Sequence, residues 1–297
     1  MERVLSMGGN RSVVPLNEFL MDNMVFKSYF VDGNVSATGD GSIKHPYSTL
    51  AEAIAASDAS IGLAGNRAWA KRNRIYVCGD VLTENLVKFP TKCDVIGWGS
   101  YDANTQPGLY GRHLPVGESY GTRFINFHFK ALAHASAIIT LTNETSGFQT
   151  IGCTFDGTLG TMTSAILATA SPFMQVIDCD FVGTFVTSYI SFGTGQAGRA
   201  RIMNNRMLGT AAKGIVAASD MTATWMPLIQ NNTLKATGLT IDDDSDLFSV
   251  VGNRLMTDVN IGTTTAGYDF NLALACDNIL TGLNGVAATV PFAVVAE

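Results

Sequence analysis

A degenerate seven-residue motif occurs seven times between Ile125 and Gly282, with copies starting at Ile125, Ile151, Ile177, Met203, Gln230, Val251 and Cys276. Its third position falls at Phe127, Cys153, Cys179, Asn205, Asn232, Asn253 and Asn278, at intervals of 26, 26, 26, 27, 21 and 25 residues. Two residues later the side chain is always large and apolar: Phe129, Phe155, Phe181, Met207, Leu234, Leu255 and Leu280. Four residues later it is small: Ala131, Gly157, Gly183, Gly209, Ala236, Thr257 and Gly282. Alternation of this kind is a strand signal, because successive side chains on a strand point to opposite faces. Helical repeats need an apolar period near 3.6 residues and leucine-rich repeats need Leu-x-x-Leu-x-Leu, and neither pattern is present. What remains is a β-coil, in which each strand pairs in parallel with its counterparts above and below. The sequence predicts an all-β parallel β-helix of about seven stacked coils. Such a solenoid escapes the usual limit on domain size because it grows by adding coils.

Stacking places like on like. The third-position column ends in a run of asparagines, and amides about 4.8 Å apart can pass hydrogen bonds along the axis. That satisfies polar groups that would be costly if buried alone. With this column the chain resembles the pectate-lyase-like family of right-handed parallel β-helices, which carry internal Asn ladders at a coil corner. Asn205, Asn232, Asn253 and Asn278 match that feature. The resemblance implies the fold and a right-handed coil, and no particular activity.

The first third of the chain fits the same fold. Tyr29–Asn34 reads as a strand and Gly39–Ser42 as a Gly-rich loop. Thr49 and Glu52 have the spacing of a capping box that opens a short helix. Arg74–Cys78 and Cys93–Gly97 read as two apolar strands. The helix is expected to cover the open edge of the sheet, which otherwise invites aggregation. The organisation that follows is an N-terminal arm over residues 1–27 and a single β-helix domain over 28–297. Within that domain, residues 28–73 form the cap and 283–297 an apolar closing segment. Leu16–Phe26 follows Pro15 and has the composition of a short amphipathic helix. Both apolar ends either fold back as caps or sit in subunit contacts.

Charged residues make up only 15% of the 297, and the net charge is −6 without any Lys/Arg run. That excludes a nucleic-acid backbone or an anionic membrane surface as the expected partner. The five cysteines, Cys78, Cys93, Cys153, Cys179 and Cys276, are odd in number and widely spaced, as expected of buried thiols made in a reducing cytoplasm. His45, His113, His128 and His134 form no HExxH or HxH pair. If the third position points inward, Asp178 and Asp180 share an outer face, with Arg206 one coil above Asp180. Acid/base or esterase chemistry needs such a cluster, but a stacked Asp and Arg also make an ordinary surface ion pair, and that is the expectation. The run Asp242–Asp246 carries enough carboxylates for Ca²⁺ but lacks the Gly and distal Glu of an EF-hand loop, so it reads as a solvated corner. Among Trp69, Trp98, Tyr101, Tyr110, Tyr120 and Trp225 no aromatic row at coil spacing is legible. No catalytic, cofactor-binding or metal-binding residue is predicted.

Right-handed β-helices of the family this chain resembles serve as secreted carbohydrate-active enzymes or as bacteriophage virion proteins. The expectation is a non-enzymatic virion protein, made in the host cytoplasm and resident in the virion. Its leading form is a homotrimeric capsid decoration protein bound to the major capsid protein or another virion protein. The alternatives are a tailspike that binds or cleaves host glycans and a polysaccharide lyase or hydrolase.

Overall fold

The computed structural model describes residues 27–63, 71–79, 81–99, 106–132, 136–142, 145–169, 171–193, 199–217, 227–243, 249–256 and 259–261, with the short strands Ala275–Cys276 and Ile279–Leu280. Most of the arm (1–26), the closing segment 283–297, Asn278 and Asp244–Asp246 lie outside the described residues. The chain is a parallel β-solenoid, and the regular structure of the described residues is nearly all strand, with one helix. Its first sheet has ten strands stacked in sequence order: Ser28–Asp32, Asn73–Cys78, Cys93–Gly97, Arg123–Ile125, Gln149–Ile151, Gln175–Ile177, Arg201–Met203, Leu228–Gln230, Ser249–Val251 and Ala275–Cys276. The seven motif copies supply the last seven, so three strands precede the count that the motif gives. The second, thirteen-stranded sheet carries the other side of each coil and includes the long strands Thr154–Ala168 and Asp180–Phe192.

Each motif copy is a corner between two strands, not one strand. In the copy that starts at Ile177, that residue ends the first-sheet strand Gln175–Ile177, Asp178 turns the chain, Cys179 points inward, and Asp180 opens the second-sheet strand. The turning residue is left-handed in every described copy: φ is 62° at Asn126, 58° at Gly152, 53° at Asp178, 58° at Asn204, 54° at Asn231 and 65° at Gly252. Only Gly, Asn and Asp enter that region readily. From Asn126 to Asn231 each corner N–H then reaches the coil above, as Asp178 N to Met203 O at 3.1 Å and Asn204 N to Gln230 O at 3.0 Å. This corrects the expected face. Asp178 and Asp180 lie on either side of a corner and do not share a strand.

Inside the corner the predicted column is present from Phe127 to Asn253, each member 1% exposed or less. The Asn205 Nδ2 donates to Asn232 Oδ1 and the Asn232 Nδ2 to Asn253 Oδ1, both at 2.9 Å. The same oxygens accept the backbone N–H of Asn205 and Asn232, and each amide also donates to a first-sheet carbonyl, at Val176, Ile202 and Ile229 respectively. Where the column turns to sulfur, the Cys153 and Cys179 thiols donate weakly to the Phe124 and Thr150 carbonyls. Beside the ladder, Phe129, Phe155 and Phe181 stack with ring centroids 5.2 and 4.9 Å apart. Met207, Leu234 and Leu255 continue that column, fully buried.

At the N-terminal end, the helix Leu50–Leu63 opens with the expected box: Thr49 N to Glu52 Oε2 at 3.2 Å and Glu52 N to Thr49 Oγ1 at 3.3 Å. Glu84 adds a second carboxylate, accepting from Leu50 N and Ala51 N, where the helix dipole favours negative charge. The helix lays Leu50, Ala53 and Ile54 onto the core. While the helix packs over this end, the backbone edge of strand Ser28–Asp32 is paired by Gly41 of the Gly-rich loop and by Tyr47 after it: Phe30 N to Gly41 O at 2.9 Å, Tyr47 N to Phe30 O at 2.9 Å and Asp32 N to Tyr47 O at 3.0 Å.

Asn232→Leu removes an acceptor for two N–H groups and a donor to Ile202 and Asn253. It is expected to cost about 1–3 kcal/mol, read as a lower urea midpoint. Asn231→Val, one residue earlier, tests the corner instead. It should cost about 1–2 kcal/mol through left-handed strain while leaving the ladder in place.

Candidate functional site

The second sheet presents the polar side chains that the sequence singled out. Arg206 grips Asp180 with both ends, Nε to Oδ1 at 2.8 Å and Nη2 to Oδ2 at 2.9 Å, across directly paired strands. The pair is open to solvent, with 63% and 40% of the two side chains exposed, and Asp180 holds the guanidinium above its ordinary pKa by hydrogen bonding. Asp178 stands apart from it, exposed at the corner. Beside the Asp180–Arg206 pair on the sheet is a carboxylate that the sequence did not single out. Asp156 lies against the strand after Asp180 and is met by His128 Nε2 at 3.2 Å, Lys130 Nζ at 3.1 Å and Thr158 N at 2.7 Å. Burial raises its carboxyl, but bonds from His128, Thr158 and Lys130 outweigh that and hold it well below the usual carboxylate range. A carboxylate this saturated is a poor base and has no proton to give near neutral pH.

The remaining predicted positions are structural where they are described. Asp242 is not on a solvated corner. It lies in strand Ile241–Asp243, 2% exposed, and is ion-paired with Lys213. His113 is fully buried against the Phe129 ring, and its Nδ1 accepts the Leu86 N–H; burial lowers its pKa to about 4. Cys93, Cys153 and Cys179 are buried free thiols and Cys78 is half-buried, and burial pushes Cys93 up to about 12. Among the described residues no group of three or more His, Cys, Asp or Glu side chains could hold a metal ion. No described helix is long and apolar enough to cross a membrane.

The outer face of the first sheet is different. Strand register aligns one outward column as Phe30, Tyr76, Ile96, Ile125, Ile151, Ile177, Met203, Gln230 and Val251. All nine are partly exposed and eight are apolar. The parallel outward column is polar: Ser28, Arg74, Asp94, Arg123, Gln149, Gln175 and Arg201 open it. At the N-terminal end the apolar column sinks into a groove of about 560 Å³, whose lining also includes Ile43, Trp98 and Gly99. Phe30 and Tyr76 stack on its floor at 5.3 Å, and Trp98 leans over Tyr76 at 6.3 Å. Trp98 joins an aromatic cluster rather than a row at coil spacing. Its companions are Phe30 and Tyr76, which become visible only when strand phase is used in place of coil spacing.

The chain matches no protein-family model and no curated protein sequence.

Two outcomes follow from these environments. Asp180→Asn should cost no more than about 1 kcal/mol, since exposed ion pairs contribute little, whereas Asp156→Asn should lower the thermal midpoint visibly more. His113 titrates near 6.5 when unfolded and about 4 when folded. The unfolded chain therefore takes up its proton first as pH falls, and stability present above about pH 6.5 is lost towards pH 4, by about 3 kcal/mol in all. Urea titrations at pH 7 and 4.5 read this loss, which should be smaller in His113→Gln.

Proposed function

We propose that this chain is a non-enzymatic structural protein of a bacteriophage virion: a rigid β-helical strut that assembles as a homotrimer and decorates the head by binding the major capsid protein. The observation that carries the reading is the apolar column along the first sheet. Eight strand spacings of about 4.8 Å make it roughly 38 Å long, and strands of three residues are about 10 Å across, so the face supplies roughly 400 Å². That is about half of one partner's share of a standard interface. Three parallel solenoids can each give one such face to a shared axis, a closed assembly that leaves no sticky end. The saturation of Asp156, and the Arg206 guanidinium that grips Asp180 with both ends, support the non-enzymatic half of the reading. The internal Asn ladder keeps the likeness to pectate-lyase-like β-helices within the proposal as a likeness of fold.

A second reading, a glycan-binding tailspike, draws on the groove formed with Phe30, Tyr76 and Trp98. The groove's polar complement is thin for a sugar. The Asn126 amide on its wall already donates to Gly97 and Gly99 and accepts from Gln106.

Sedimentation velocity at micromolar concentration should give a trimer, and the paired change Ile177→Lys with Met203→Lys should shift it to monomer without altering the β-sheet circular dichroism. A wild-type monomer would reject the assembly. Turnover of a bacterial surface polysaccharide that vanishes in Asp180→Asn would replace the structural reading with an enzymatic one.

A further inference from the structure

Cys153 and Cys179 stand one above the other in the inner corner column, 26 residues apart in sequence. The strands that follow them pair from Thr154 with Asp180 onward, and Asp180 N donates to Cys153 O at 2.9 Å. Their backbones are therefore one strand spacing apart, about 4.8 Å, inside the Cα range of about 4.4–6.8 Å that a disulfide spans. The two thiols are in hydrogen-bond contact with each other. The Cys179 sulfur leans down to the coil that carries Cys153, where it meets Thr150 O at 3.6 Å and Thr150 Oγ1 at 3.7 Å.

This step of the column lacks the amide bonds that tie Asn205 to Asn232 and Asn232 to Asn253 at 2.9 Å. Besides Cys179, the Cys153 thiol meets the Phe124 and Ile151 carbonyls, both at 3.5 Å, and a thiol is a weak donor that gives up such acceptors at little cost. The two coils joined here carry the long strands Thr154–Ala168 and Asp180–Phe192, whose register shifts twice between Gly157 and Ser164. The pair also divides the roles that oxidation needs. Burial raises both thiols, but at Cys179 hydrogen bonds from Cys153 and Thr150 outweigh it, whereas at Cys153 the contact with Cys179 adds to it. Cys179 is the first of the two to ionise, and Cys153 keeps its proton.

We infer that Cys153 and Cys179 form an oxidative modification site, at which a small peroxide converts the buried pair into a disulfide that staples two coils together. The Cys179 thiolate attacks one peroxide oxygen, the O–O bond breaks, and the departing hydroxide takes up a proton as water, leaving Cys179 as a sulfenic acid. The Cys153 sulfur then attacks the Cys179 sulfur and loses its proton. The S–S bond forms, the S–O bond breaks, and the oxygen leaves as a second water. Two thiols are oxidised by two electrons and one peroxide is reduced to two waters. The oxidant has to be small, because each cysteine is only 1% exposed. Neither the trimer face nor the groove contains either residue, so the site stands whether or not the virion reading does.

The test uses the full folded chain and hydrogen peroxide. After treatment the protein is unfolded, its free thiols are blocked with N-ethylmaleimide, and chymotryptic fragments are read by mass spectrometry, since Phe155 and Phe173 offer cuts between the two cysteines. A disulfide-linked pair of fragments holding Cys153 and Cys179 is expected, with both thiols recovered after dithiothreitol. The bridge should raise the urea midpoint by about 0.5–1 M, because it constrains the unfolded chain, and dithiothreitol should return it. In Cys153→Ala, peroxide should leave Cys179 as a sulfenic acid that dimedone traps. Wild-type protein in which both cysteines stay free, go to sulfinic acid without a bridge, or bridge to other cysteines overturns the proposal. So does a bridge that leaves the urea midpoint unchanged.

Discussion

Parallel stacking forces every side chain in this solenoid to sit on its counterpart one coil away. In a parallel ladder the strand spacing is near 4.8 Å and has no freedom to vary, so a residue type that suits one coil must tolerate a copy of itself above and below. Aromatic rings solve this by offset stacking, as Phe129, Phe155 and Phe181 do. Amides solve it by passing a hydrogen bond along the column, as Asn205, Asn232 and Asn253 do. Charges solve it only by alternating in sign, and Asp180 beneath Arg206 is the local case. The low charge content follows from this constraint, since a column of like charges would repel along its whole length.

The same constraint explains how much of the molecule was legible in its sequence. The inward columns could be read because they repeat: Asn at the third position, Phe or Leu two residues later. The corner could have been read too. The residues before the third position are Asn126, Gly152, Asp178, Asn204, Asn231 and Gly252, the very types that tolerate positive φ. Treating that column as outward-facing strand hid the turn and moved Asp178 onto the wrong face. Asp242 was misread for a different reason. Its acidic neighbours imply solvent, but its burial is set by Lys213 on the adjacent strand, 29 residues away, and no local pattern announces that partner.

The surface was least legible. An apolar residue on an outward column looks like any other strand residue until register shows that eight of nine are apolar in a line. The first three strands also precede the motif, so Phe30 and Tyr76 carried no repeat to index them. A search for aromatic rows had to fail there, because Trp98 reaches Tyr76 from just beyond a strand end.

The corner has a consequence for how such a chain changes length. Between Asn205 and Asn232 the coil takes 27 residues and between Asn232 and Asn253 it takes 21. Yet the amide bonds at both steps are 2.9 Å. The corner acts as a fixed datum: wherever a coil gains or loses residues, the count resets when the chain returns to its left-handed turn. Insertions are thereby confined to the far side of each coil, where they can accumulate independently, one coil at a time. A lineage could remodel that side freely while the inner spine stays the same.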